Sequence, residues 1–251
     1  MKNTDLWHPT KYVFTGTGYR ASRDRREVAL GSRLIADITA HVYARLLQKH
    51  AHGILLDFGC GKVPLYGAYR DLVVDVVCID WRPGEHVDHQ VDLNRQIPLP
   101  DGHFDTILAT DVLEHLACPD LVFREIARLL KPTGKAIISA PFLYWLHEEP
   151  HDYFRYSEYA LVRLCEQSGL GVLLLEPYGG ASEVLADMIG KLIVFSRLER
   201  LAVCRGLLRV HLWLSQAILR TSLGKRLSTA TARSFPLGYC LVVQKGASGP
   251  R

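Results

Sequence analysis

Apolar positions along this chain follow two rhythms, and the rhythm changes element by element. From Ala29 to His50 the residues Leu34, Ile38, Val42 and Leu46 recur at four-residue spacing, which predicts a helix ending near Gly53. GILLDF follows as a continuous apolar run entering a glycine turn, the pattern of a buried strand. VVDVVCID, from Val73 to Asp80, is a second such run, His86 to Asp92 a weaker third, and HFDTILATD a fourth that ends near Asp111. Pro119 to Leu130 returns to helical spacing, with proline in the first turn, where its missing N–H costs nothing. GKAIISAPF is a fifth strand. Ser157 is placed to cap a helix through Gln167, which Gly169 stops. LGVLLLEPY and LGYCLVVQK are the sixth and seventh strands.

Strands alternating with helices predict a parallel α/β sheet, whose ligands sit beyond the carboxyl ends of the strands. The residues to inspect are therefore Asp57 to Gly61, Asp80, Asp92, Thr110 to His115 and Pro141 to Arg155. Two glycines in DFGCG let backbone approach a ligand closely. A dinucleotide site would place a third glycine at position 64, where this chain has Pro64. Asp80 ends the next strand at a distance from Gly61 that suits an acid accepting hydrogen bonds from ribose hydroxyls. These two signals together point to a nucleoside.

The same stretches resemble a class I S-adenosylmethionine-dependent methyltransferase. DFGCG resembles that family's glycine motif, although its third glycine falls at Val63 here. Asp80 resembles the ribose-binding acid, and VDLN the adenine loop. LPDGHFDTILATDVLEHL and LLKPTGKAIISAPF resemble the fourth-strand motif and the helix and strand after it. The resemblance covers roughly residues 54–175 and resumes at Leu237. It implies a Rossmann-like α/β fold: a seven-stranded mixed sheet with the last strand antiparallel, helices on both faces and a helical insertion before that strand. It implies S-adenosylmethionine as cofactor, bordered by Asp57, Phe58, Gly59, Cys60 and Gly61, by Asp80 and Trp81, by Asp92 and Leu93, and by Asp111, Val112 and His115. The N-terminal segment with Trp7, Tyr12, Tyr19 and Arg20 resembles a cap over that cofactor. The expected organisation is one methyltransferase domain, 1–251, with a cap and helix at 1–50 and the insertion at 181–235.

The stretch His147-Glu148-Glu149-Pro150-His151 matches the H-E-x-x-H pattern of zinc proteases. That chemistry needs both histidines on one helical face, and Pro150 inside the interval costs a helix about 3 kcal/mol. No metal is expected there. An acceptor-binding loop after the fifth strand is the better reading. His147 and His151 are candidate bases, since imidazole titrates near neutral pH. Asp152 is placed to orient a histidine, Arg155 to bind an anionic acceptor, and Tyr144 to wall the pocket. Methyl transfer is an in-line displacement that proximity accelerates, so a base is needed only where the acceptor must lose a proton.

Composition adds bounds. The chain has 251 residues, about half of them hydrophobic, enough for a sizeable core. Its six cysteines form no C-x-x-C pair and read as reduced and structural. The N-terminal residues carry no apolar signal core, and no run approaches the ~20 apolar residues of a bilayer span. A cytoplasmic protein, peripheral at a membrane if anything, is the expectation. Residues 246–251 read as a polar tail.

Net charge is +4, yet residues 181–235 hold nine Lys/Arg against three acids. In Leu201 to Arg220, Arg205, Arg209 and Arg220 fall on one stripe of a helix whose remaining surface is mostly apolar. The insertion is expected to shape the acceptor site. Its apolar face would meet a membrane surface, the sheet or a second copy of the chain. A nucleic-acid partner is not expected, because the basic residues alternate with apolar stretches instead of forming a stripe with stacking aromatics. The predicted activity is methylation, at oxygen, of a small-molecule, saccharide or lipid-linked acceptor. The alternatives are a nicotinamide-dependent oxidoreductase and a catalytically inactive domain that binds a cofactor or a partner.

Overall fold

In the computed structural model, residues 1–196, 198 and 201–246 are described. Arg197, Glu199 and Arg200, counted in the basic segment, and the tail beyond Gly246 lie outside them. The chain divides into two compact units. The first comprises Met1–Thr10, Tyr43–Glu176 and the chain from Tyr239 onward; the second comprises Lys11–Val42 and Pro177–Gly238.

The first unit is built on a seven-stranded sheet. Its strands are β3 (Ile54–Phe58), β4 (Asp75–Asp80), β5 (His89–Gln90), β6 (Phe104–Thr110), β7 (Leu130–Pro141), β8 (Leu170–Tyr178) and β9 (Gly238–Lys245). Their spatial order is β5-β4-β3-β6-β7-β9-β8. Strands β3 to β7 pair in parallel, and the C-terminal strands make the sheet mixed by running antiparallel. The order reverses at β3, with β4 on one side and β6 on the other, so a crevice opens beyond the carboxyl end of β3. Leu55, Leu56, Phe58, Ile107, Leu108 and Ile137 are fully buried, as both-faced burial of a parallel sheet requires.

Helix α1 (Arg33–His50) leads into β3, and α2 (Tyr66–Tyr69), α3 (Pro119–Leu129) and α4 (Glu158–Gln167) connect strands of the sheet. Ser157 caps α4 as expected, its Oγ accepting the Ala160 N–H at 3.3 Å. The predicted third strand shrinks to His89 and Gln90. The fifth begins at Leu130 instead of Gly134, through a register irregularity opposite Phe104 and Thr106.

The second unit holds a hairpin that the sequence reading missed, β1 (Tyr12–Phe14) and β2 (Tyr19–Ala21), and the helices α5 (Ala181–Phe195), α6 (Ala202–Arg220) and α7 (Ser222–Thr231). The predicted insertion is thus helical. Its ends lie side by side, the Leu237 N–H donating to the Tyr178 carbonyl at 3.0 Å. Helix α5 is inverted. Its charged residues Glu183, Asp187 and Lys191 are buried, and Lys191 bonds Asp187 at 2.5 Å. Its apolar residues Leu185, Met188, Ile189 and Leu192 are exposed. Tyr12, expected in a cofactor cap, is instead buried in this unit with its hydroxyl 3.0 Å from Thr39 Oγ1.

Candidate active site

The loop after β3 is shaped by two left-handed glycines. Gly59 has φ +75°, and a Cβ there would stand 2.6 Å from Val112 Cγ2. Gly61, at φ +51°, faces open space, and its N–H donates to Asp80 Oδ2 at 2.9 Å. Val63 occupies the family's third glycine position and keeps a glycine's backbone, with φ +51° and a buried side chain. It carries the ~1–2 kcal/mol penalty of a left-handed L-residue.

Asp80 receives a second backbone bond at Oδ1, from the Arg82 N–H at 2.9 Å. Each oxygen keeps a further lone pair for a ligand hydroxyl. Asp57 is buried, with the Tyr69 hydroxyl donating to Oδ2 at 2.8 Å. Burial pushes its carboxyl up to about 7, and the Asp80 carboxylate adds to the shift against Tyr69's opposing bond. Trp81 is exposed, its ring edge-on to His151 at 5.3 Å and covered by the Arg82 guanidinium at 4.6 Å.

Other expected cofactor residues act differently. The side chains of Phe58, Cys60 and Leu93 are buried core, so they can meet a ligand only through backbone. Asp92 is exposed, accepting the Asn94 N–H at 2.9 Å and pairing with Arg95 at 3.2 Å. Asp111, at φ +55°, accepts from the Tyr43 hydroxyl at 2.5 Å and from Ser139 Oγ at 3.1 Å. Tyr43 and Ser139 escaped the sequence reading because they lie on α1 and inside β7, away from any strand-end motif.

The loop from Leu146 to Ser157 contains no helix, so the zinc-protease pattern lacks the geometry it requires. The two histidines face different partners. His151 Nδ1 lies 3.0 Å from the Tyr153 hydroxyl, and its carbonyl 2.7 Å from His115 Nδ1. His147 Nδ1 lies 3.2 Å from Asp152 Oδ2 and 3.2 Å from the Trp145 carbonyl. Asp152 is therefore placed to orient His147. Burial lowers the His147 pKa, and neighbouring His115 lowers it further, which keeps the ring neutral at neutral pH.

Arg155 does not present itself to an acceptor. Its guanidinium bonds Asp152 at 2.6 and 2.7 Å and the carbonyls of Tyr144, Trp145 and Phe154. It braces the loop, because five donors held in a rigid fork match a carboxylate and the carbonyls beside it. Burial alone would raise the Asp152 carboxyl; Arg155 and the His147 N–H overcome that and hold it at about 2. Tyr144 stacks edge-on to His147 at 5.2 Å.

Glu114 completes the site, and the sequence reading had not assigned it a catalytic role. Its backbone carbonyl accepts the Tyr153 N–H at 2.8 Å, tying the loop to the end of β6. Its side chain is 1% exposed, and Oε2 has no partner among the described residues. Burial and the Asp111 carboxylate push the Glu114 carboxyl up to about 8. Oε1 stands 3.7 Å from Nε2 of both His115 and His147. Each of those rings meets acceptors at Nδ1, which places the proton there and leaves the Nε2 lone pair facing Glu114. Ligand atoms of Glu114, His115 and His147 all lie within 4.8 Å of one another, a spacing a divalent cation can bridge.

Known methyltransferases resemble this chain in sequence and in fold. Residues 30–175 match the family described as a methyltransferase domain. A ubiquinone biosynthesis O-methyltransferase of Xanthomonas euvesicatoria pv. vesicatoria is 34% identical over 102 residues, 34% of this chain and 41% of that protein. A probable S-adenosylmethionine-dependent methyltransferase of Mycolicibacterium smegmatis is 33% identical over 113 residues, 40% of this chain and 42% of the relative. The chain thus matches less than half the length of these curated relatives. Among solved structures, an S-adenosylmethionine-dependent methyltransferase of Mesorhizobium loti has a TM-score of 0.53 at 13% identity, covering 81% of this chain and 96% of its own. That likeness shows the fold.

Proposed function

Because the chain belongs to the class I S-adenosylmethionine-dependent methyltransferases, we propose that it transfers a methyl group from that cofactor to a hydroxyl of a small-molecule, saccharide or lipid-linked acceptor. The observation that carries this reading is the pairing of Gly61 and Asp80 beside open space, with Asp57 buried behind them. These residues fit the cofactor: Asp80 suits a ribose diol, Asp57 a cationic group, and the Gly61 backbone a close approach. The family match decides against the nicotinamide alternative. The cofactor supplies a methyl group activated on a sulfonium. The chain positions the acceptor and takes its proton.

His147 is the proposed base. Its Nε2 accepts the acceptor's proton, Asp152 holds the Nδ1–H and stabilises the imidazolium, and His151 and Tyr144 line the same loop. O-methylation is favoured by this dyad and by the name of the Xanthomonas relative. The buried, unpartnered Oε2 of Glu114 favours a second reading, in which a divalent cation on Glu114, His115 and His147 lowers the acceptor's pKa.

Titration calorimetry with S-adenosylmethionine, followed by methyl transfer to a panel of phenolic and sugar hydroxyls, tests the proposal. No binding by the folded protein refutes it. With an acceptor in hand, His147→Ala is expected to lower kcat by roughly 10²–10⁴. A chelator and metal analysis separate the two readings: activity that survives chelation supports the base alone.

A further inference from the structure

We propose that helices α5 and α6 form a docking surface for an anionic lipid bilayer. This inference stands apart from the methyl-transfer reading and does not depend on it.

The first observation is the inversion of α5. Met188 is 62% and Leu192 69% exposed, whereas Asp187 is 4% and Lys191 6%. Leu185, Met188, Ile189 and Leu192 fall within about 100° of one another around the helix. A helix facing water does the reverse. Burying a carboxylate and an ammonium is costly even when they are paired. The arrangement makes physical sense where the outer face of α5 meets an environment less polar than water.

Helix α6 continues the pattern. Leu208 and Leu212 are its buried residues, and Val203, Leu207, Val210 and Leu214 form an exposed stripe. Arg205, Arg209 and Arg220 are exposed on a separate stripe, about 110–170° around the helix from the centre of the apolar one, with Trp213 between the two. An apolar stripe with basic residues on another side of the same helix suits a lipid interface, where long arginine stems let the charged heads reach outward. No described helix is long and apolar enough to cross the membrane, which leaves the surface as the site of contact.

Charge selects the occupant. Among the described residues from Ala181 to Phe235 the two acids, Glu183 and Asp187, are buried, and the exposed charges are all cationic: Arg205, Arg209, Arg220, Lys225, Arg226 and Arg233. A second copy of the chain docked face to face would set these cations against themselves. Acidic phospholipid headgroups complement them.

Flotation of the full chain with vesicles tests the proposal. Vesicles of phosphatidylcholine containing phosphatidylglycerol should carry the protein at low salt, pure phosphatidylcholine vesicles much less. Arg209→Ala and Arg220→Ala should each weaken binding about fivefold at low salt. The double variant Met188→Glu/Leu192→Glu should weaken it roughly tenfold or more, with circular dichroism and melting temperature unchanged because both side chains are already exposed. Three results would overturn the proposal: no flotation with anionic vesicles, equal flotation of the double variant, or a dimer in gel filtration that Leu192→Glu dissolves.

Discussion

Two aspartates on neighbouring strands show how position sets an acid's role. Asp80 is held by two backbone amides and is available for a ribose diol. Asp80→Ala is expected to weaken S-adenosylmethionine binding by about 1.5–3 kcal/mol, readable by calorimetry, with the fold intact. Asp57 is shielded from water and titrates near 7. A cationic ligand binds the ionised form, so below that pH it must first displace a proton. Affinity should therefore fall as pH drops through about 7, by up to tenfold per unit, and level off above it. Calorimetry in buffers of different ionisation enthalpy would detect the released proton, and Asp57→Asn should flatten the profile. The placement of Asp80 was legible in the sequence, because strand-end acids and glycine spacing are local signals. The convergence of Glu114, His115 and His147 was not. It depends on a loop folding back from the end of β7 and on which ring nitrogen faces a hydrogen-bond acceptor, and neither leaves a mark in spacing.

Elements add constraints that single residues do not show. The loop from Leu146 to Ser157 keeps its shape because Arg155 pairs with Asp152, whose side chain is 2% exposed. Arg155→Met would leave that buried carboxylate with His147 alone and no guanidinium, at an expected cost of about 3 kcal/mol in a urea melt. Asp152→Asn added to it should recover part of the loss. Asp152's folded pKa lies below its unfolded value, so its stabilisation is present above the ordinary carboxylate range and is lost as pH falls toward about 2. Most strands were legible from their apolar runs. The start of β7 was not, since Pro132 and Gly134 argue locally against a strand and pairing with β6 overrides them. The β1–β2 hairpin escaped notice because strands of three residues carry too little periodicity to read.

For the molecule as a whole, every residue proposed to hold the cofactor falls in the first unit. Ligand stabilisation follows mass action, about 2.7 kcal/mol at a hundredfold excess over Kd. Hydrogen exchange should slow around β3, β4 and β6 on adding S-adenosylmethionine and change little in α6, where few side chains are buried. Equal slowing in α6 would mean that the cofactor's influence reaches the second unit. The seven-stranded architecture was readable from the sequence, whereas the two-unit division was not. The second unit gathers chain from both sides of the sheet's sequence, and no linker composition marks its edges.

The seam at Tyr178 and Leu237 has an evolutionary and practical consequence. Chain that leaves one strand and returns to its sheet neighbour behaves topologically as a long turn between adjacent strands, whatever it contains. A turn of that kind tolerates changes in length, because its two ends are already held side by side. Length variation among homologues should therefore concentrate between these two residues, and a foreign lipid-binding or soluble module grafted there should leave cofactor affinity where it was.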